Sequence, residues 1–223
     1  MPAVVPSTPF DGLLCGAAIE IRDDAGSVQL LDPARWRAGP DLTDAEVVRR
    51  CTGPTLDLGC GPGRLVRALR EHGVVAWGVD SSAVAVELCR SRGTPVLHRN
   101  VFAPLPREGR WHHVLLLDGN IGIGGDPHRL LARAGALTAT GGTVIVETDP
   151  DPGLCWTGCL PVPDVGGEWS TRWARVGVRA LEDHAAGLGL AVVGRWPARP
   201  GRGDIVELGA VGRRSSVRGR PPG

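Results

Sequence analysis

The sequence predicts an α/β fold built on a parallel sheet with helices on both faces, and three observations predict it. From Thr55 onward, short apolar runs alternate with stretches whose apolar residues recur at helical spacing. The first of these runs breaks at three glycines spaced two apart, Gly59, Gly61 and Gly63, where a strand hands over to a helix. A chain of 223 residues is long enough to bury a full core as one domain with a modest cap.

Residues 1–45 read as an extension and lid ahead of the domain at 46–211. Pro2, Pro6 and Pro9 discourage an early helix, while Gly12 to Ile21 is apolar enough to pack as a short helix or strand. Phe10 and Trp36 read as anchors of this extension in preference to lid aromatics over a ligand. Asp41 to Arg50 reads as a helix, with Asp41 or Thr43 as its N-cap, leading into the first core strand.

Strands are expected near 54–58, 74–79, 95–98, 112–117 and 142–147, with helices near 64–72, 82–91 and 126–138. In the last of these helices Pro127 follows the capping Asp126, and Leu130, Leu131, Ala134 and Leu137 form the face turned to the sheet. Gly141-Gly142 marks its end. Residues 148–170, rich in Pro, Gly and Trp, read as a structureless stretch leaving the carboxyl end of a strand, and hence as a substrate cover. A packed loop held by Trp156 and Trp169 is the second reading. A helix near 178–188 and strands near 190–196 and 204–210 bring the strand count to seven. Residues 212–223 carry four Arg among Ser, Gly and Pro and read as a disordered, solvated tail.

Composition excludes several classes. All 25 basic residues are Arg, against 24 acids, for a net charge of +1, so no global field points to nucleic acid or a membrane. Without Lys there is no Schiff base, and without Tyr no phenolic acid. The six Cys are scattered; Cys155 and Cys159 lack the second pair that a structural metal needs, so no metal is expected. With no basic leader and no apolar run of membrane length, a cytoplasmic protein with reduced thiols is expected.

A strand that turns through glycines into a helix brings backbone close to a ligand, which suits a nucleotide-type cradle. A phosphate-binding P-loop needs Lys after the last glycine, where Arg64 stands. The dinucleotide fingerprint needs its third glycine five positions after the first, and Gly63 is four on. The remaining pattern, Asp57 followed by Gly59-Cys60-Gly61-Pro62-Gly63, resembles motif I of the class I S-adenosylmethionine-dependent methyltransferases. The resemblance runs over roughly residues 45–210 and implies their seven-stranded Rossmann-like sheet, with the last strand antiparallel and a small N-terminal and inserted-loop cap.

It implies a cofactor, S-adenosyl-L-methionine, and residues to hold it. Gly59, Cys60, Gly61 and Gly63 let backbone approach its amino-acid and ribose parts, and Asp57 meets its ammonium directly or through water. Asp80, ending the next strand before Ser81, takes the ribose hydroxyls. Asn100, Val101 and Phe102 stand where the family contacts adenine; Asn100 replaces the usual acid, though its amide oxygen also accepts from an amine.

The second glycine-rich turn, Asp118-Gly119-Asn120-Ile121-Gly122-Ile123-Gly124-Gly125, would lie beside the methionine part and the acceptor. Asp118 and Asn120 are the first candidates for orienting residues, Asp118 touching the cofactor as well. Glu147 or Asp149 is a candidate base or substrate ligand, and His128 a further base candidate in the first turn of a helix. His112 and His113 open a strand and read as structural. The Asn/Asp-Pro-Pro-aromatic run of the DNA amino-methyltransferases is absent, and so is the acidic pair of the metal-dependent catechol type.

The expected activity is methyl transfer to an O or N atom of a small-molecule acceptor. A nicotinamide-dependent oxidoreductase and a non-catalytic cofactor-binding module are the alternatives.

Overall fold

The computed structural model describes Phe10, Asp11, Leu14 and residues 19–22, 28–31, 33–162 and 169–211. Two short strands, β1 (Ile19–Arg22) and β2 (Val28–Leu31), pair antiparallel ahead of α1 (Pro33–Arg37) and α2 (Leu42–Arg50). Sequence reading expected an extension here without this hairpin. The tail at 212–223 lies outside the described residues, as do most of residues 1–18.

The core alternates as expected: β3 (Thr55–Leu58), α3 (Arg64–Glu71), β4 (Ala76–Asp80), α4 (Ala83–Ser91), β5 (Val96–His98), β6 (Trp111–Leu116), α5 (Pro127–Leu137) and β7 (Thr138–Glu147). After β8 (Cys155–Val162) and β9 (Trp169–Val176) come α6 (Val178–Ala186), β10 (Leu190–Pro197) and β11 (Asp204–Ala210).

Seven strands form one sheet in the order β10-β11-β7-β6-β3-β4-β5. Strands β5, β4, β3, β6 and β7 run parallel, and β11 runs antiparallel to both neighbours, as expected of the last strand. Because β4 and β5 lie on one side of β3 and β6 and β7 on the other, the chain reverses its winding between β3 and β6. The crevice at the carboxyl ends of those two strands is where open α/β sheets receive ligands.

Strand residues alternate between two apolar layers, as a period of two requires. Leu56, Leu58, Val114, Leu116, Val144 and Val146 face Leu130, Leu131 and Leu181 of α5 and α6. Leu115 and Ile145 face Val47, Val48, Leu65, Val66 and Leu69 of α2 and α3. Caps fix the helix starts: Asp41 and Asp44 form a reciprocal capping box, Ser82 accepts from the Ala85 N–H, and Asp126 accepts from the Arg129 N–H.

Two expectations are corrected. Strand β7 begins at Thr138, paired with Trp111, so Gly141-Gly142 lies inside it; the register shifts there, and the left-handed backbone of Gly141 (φ 79°) accommodates the irregularity. The stretch 148–170 is not structureless. Cys155–Val162 within it and Trp169–Val176 at its end form the hairpin β8–β9, in register from Cys155 opposite Val176 to Val162 opposite Trp169. Gly and Pro obscured a strand alternation in Trp169, Thr171 and Trp173.

Candidate active site

Carboxyl ends of β3, β4 and β6 open on a cavity of about 270 Å³. Asp57, Gly59, Cys60, Gly61, Asp80, Ser81, Asn100, Val101, Phe102, Asp118 and Asn120 line it, so nearly all the candidates read from sequence meet in one place. Gly63 does not reach the cavity; it precedes the first turn of α3 in the left-handed region (φ 79°).

At the first turn, Gly61 has φ 52°, and a Cβ built on it meets nothing within 4 Å. That face of the turn is open backbone, with room for a ligand to lie against it. The Gly61 N–H donates to Asp80 Oδ2 (2.8 Å), and the Ser82 N–H donates to Asp80 Oδ1 (2.8 Å). Both oxygens are thus aimed by the strand end itself. Burial pushes the Asp80 carboxyl up, opposed by these two N–H groups. Ser82 also donates to the buried Asp11 of the N-terminal segment. Further along, Asn100 Oδ1 accepts from the Phe102 N–H (2.9 Å), folding the loop after β5 so that Val101 and Phe102 face the cavity.

At the second turn, Asp118 takes a left-handed backbone (φ 53°) and pairs with Arg64. Arg64 itself is 4% exposed and also pairs with Asp44 of α2. Asn120 does not satisfy its own turn. Its amide reaches across to β3 and donates to the carbonyls of Leu58 and Gly59, both at 2.9 Å, tying the two turns together.

Glu147 and His128 are placed otherwise than the sequence suggested. Glu147 Oε2 accepts from the Asp118 N–H (2.7 Å) and Oε1 from Arg202 (2.5 Å), so it supports the second turn from behind. His128 sits exposed on α5 beside His184, with ring centroids 6.1 Å apart, and does not line the cavity. Asp149 is buried in an ion pair with Arg175 (2.8 Å). Glu147 and Asp149 are each claimed by a contact made across the fold, which spacing along the chain does not reveal.

Asp57 is 3% exposed, and burial pushes its carboxyl up to about 7, with Arg64 pulling the other way and Asp118, Asp80 and Asp44 adding to the rise. The folded state therefore holds a proton that the unfolded chain, near 3.8, releases. The stability this proton confers is complete at low pH and is lost as pH rises through about 7. A cationic ligand group beside Asp57 would favour the carboxylate, release the proton and restore the loss. Affinity for such a ligand is thus expected to rise from pH 6 to pH 8, by up to about tenfold. Titration calorimetry with S-adenosylhomocysteine in buffers of different ionisation enthalpy checks this. A flat or falling profile would contradict the assignment of Asp57.

Four aromatic side chains complete the cavity: Phe102 from the loop after β5, Phe10 from the N-terminal segment, Trp36 from α1 and Trp173 from β9. Phe10 and Trp36 both anchor and line, because they pack on Trp173 at the cavity wall. Arg64 and Trp173 had no sequence signal as site residues: Arg64 read only as the wrong residue for a P-loop, and Trp173 stands just beyond a stretch read as irregular.

A family model described as a methyltransferase domain matches residues 45–185. No curated protein sequence matches the chain. Among solved structures, the fold is similar to a SAM-dependent methyltransferase from Bacteroides fragilis in complex with S-adenosyl-L-homocysteine, at 18% identity and TM-score 0.69 over 86% of each chain. It is similar to the CcbJ methyltransferase from Streptomyces caelestis, at 19% identity and TM-score 0.60 over 79% of this chain and 92% of that one. A third likeness is to the 1,6-didemethyltoxoflavin-N1-methyltransferase of Burkholderia thailandensis, at 18% identity and TM-score 0.55, covering 74% of this chain and 75% of that one. The matched residues run from α2 through both glycine-rich turns into α6, more than half of the sequence, and the chain belongs to the methyltransferase domain family.

Proposed function

We propose that the cavity binds S-adenosylmethionine and that the protein moves its methyl group to an O or N atom of a small molecule. The observation that carries this reading is the Asp80 carboxylate, aimed into the cavity by the N–H of the open Gly61 turn. Asp80 takes the ribose hydroxyls, Val101 and Phe102 flank the adenine beside Ser81 and Asn100, and Asp57 meets the ammonium. Asp57 supports the fit by its chemistry: a buried carboxyl pushed up to about 7 is a group in want of a cation.

When bound, the cofactor supplies a methyl group on a cationic sulfur; the acceptor's lone pair forms the new bond to carbon, and the old bond's electron pair stays on sulfur. The chain's own work is placement and exclusion of water. Asp118, fixed by Arg64 and by the Glu147 contact to its N–H, and Asn120, fixed on β3, hold the second turn at a constant distance from the first. Among the described carboxyl groups lining the cavity, Asp118 is ion-paired, Asp80 holds two backbone donors, and Asp57 is taken up by the cofactor's ammonium in this reading. This arrangement favours an acceptor atom that presents its lone pair without prior deprotonation.

In this reading residues 1–45 form a lid over the domain at 46–211, supported by Phe10, Leu14 and Trp36 in the cavity wall. A cytoplasmic setting is supported by the free thiols of Cys51, Cys60, Cys89, Cys155 and Cys159. Among the described residues no helix is long and apolar enough to cross a membrane.

Binding of S-adenosylhomocysteine, read as a rise in melting temperature, tests the proposal, with NADH as the competing ligand. Asp80→Ala is expected to weaken that binding by about 1.5–3 kcal/mol through loss of charge-assisted hydrogen bonds. Stabilisation by NADH alone, or unchanged affinity in Asp80→Ala, would remove the assignment.

A further inference from the structure

We propose that the acceptor is a planar aromatic or heteroaromatic small molecule, received against the wall formed by Trp173, Phe10 and Trp36. This rests on the reading of the cavity given above and deepens it. Of the chain's nine aromatic residues, seven Trp and two Phe, four line this one cavity. Phe102 belongs to the cofactor end. The other three come from segments outside the strand and helix repeat, and they meet on one wall: Phe10 and Trp173 stand 5.3 Å apart between ring centroids at 48°, with Trp36 and Ile123 packed beside them.

Local sequence is arranged to admit the indole. A Cβ on Gly122 would lie 2.6 Å from Trp173 Nε1 and 2.2 Å from the Ala174 carbonyl oxygen, and one on Gly125 would lie 3.0 Å from Arg172 Cβ. The second glycine-rich turn therefore lets β9 press Trp173 against it at the cavity edge. Glycines here serve the acceptor wall as well as the turn.

Polar groups at this end are few and mostly engaged. Asn120 gives its amide hydrogens to Leu58 and Gly59, and Asp118 is held by Arg64; Thr171 and the indole N–H of Trp173, buried without a hydrogen-bond partner, are what remains for an acceptor's polar atom. A sugar-like acceptor would surrender water from many hydroxyls and find few replacements. A flat ring loses little water and stacks on aromatic faces.

The test uses the full chain saturated with S-adenosylhomocysteine and titrated calorimetrically with quinoline or D-glucosamine. Quinoline is expected to bind saturably and more tightly than glucosamine. Trp173→Leu and Trp36→Leu are each expected to weaken quinoline binding several-fold to about tenfold, with S-adenosylhomocysteine affinity retained. Trp36 is only half-buried, so its variant carries the test if Trp173→Leu does not fold. Glucosamine binding as tightly as quinoline, no quinoline binding to the saturated protein, or undiminished quinoline affinity in the folded variants overturns this inference alone. Failure of the unaltered protein to bind S-adenosylhomocysteine overturns the reading of the cavity, and this inference with it.

Discussion

Gly61→Val is expected to fold and to bind no S-adenosylhomocysteine. Apart from its neighbours in the chain, nothing lies within 4 Å of a Cβ at this position, so the added side chain points into the space left for the ligand. The backbone there has φ 52°, which strains a β-branched residue by roughly 1–2 kcal/mol. That strain lowers the melting temperature modestly and leaves the sheet in place. Loss of binding then comes from filled space, together with any displacement of the N–H that aims Asp80. Calorimetry and circular dichroism on the same sample separate the two effects. A folded variant that binds the ligand as the wild type does would show that the turn is no cradle.

Arg64→Met is expected to be the most destabilising single change at the site. Arg64 is 4% exposed and lies between Asp44 of α2 and Asp118 of the second turn, so its removal leaves two carboxylates without their shared cation. Breaking a buried pair costs about 3–5 kcal/mol, and the lower figure applies because Asp44 keeps Arg35 (2.8 Å) and Asp118 keeps Arg202 (3.7 Å). For a chain of this size that lowers the melting temperature by about 6–12 °C. A second readout goes beyond stability. Arg64 draws Asp57 down, so its loss pushes Asp57 further up and moves the pH at which ligand affinity rises to a higher value. An unchanged melting temperature would mean that desolvation cancels the ion pairs; an unchanged pH profile would separate Arg64 from Asp57.

The elements legible in the sequence are those fixed by local chemistry. Apolar alternation placed the core strands, the Asp126 cap fixed α5, and the glycines at 59, 61 and 63 announced the turn. Asp80, the last residue of β4, falls at the sheet edge beside that turn because parallel neighbours in register end together. What was not legible depends on partners far along the chain. Glu147 ends its strand as expected, yet its carboxylate is committed to Asp118 and to Arg202 of the β10–β11 loop. Arg64 looks like any helix-opening arginine until α2 and β6 are folded around it. The hairpin β8–β9 hid for another reason: Pro and Gly lower strand propensity, while long-range docking of β9 on the second turn supplies what propensity does not.

Phe10, Trp36 and Trp173 stand on an N-terminal segment, a five-residue helix and an inserted hairpin, none of which contributes a strand to the seven-stranded sheet. On the proposed reading, acceptor choice is thus carried by parts of the chain other than the strands that hold the donor, with the Ser82–Asp11 contact joining the two. Exchanging those parts is then expected to change which compounds are accepted while the sheet stays as it is.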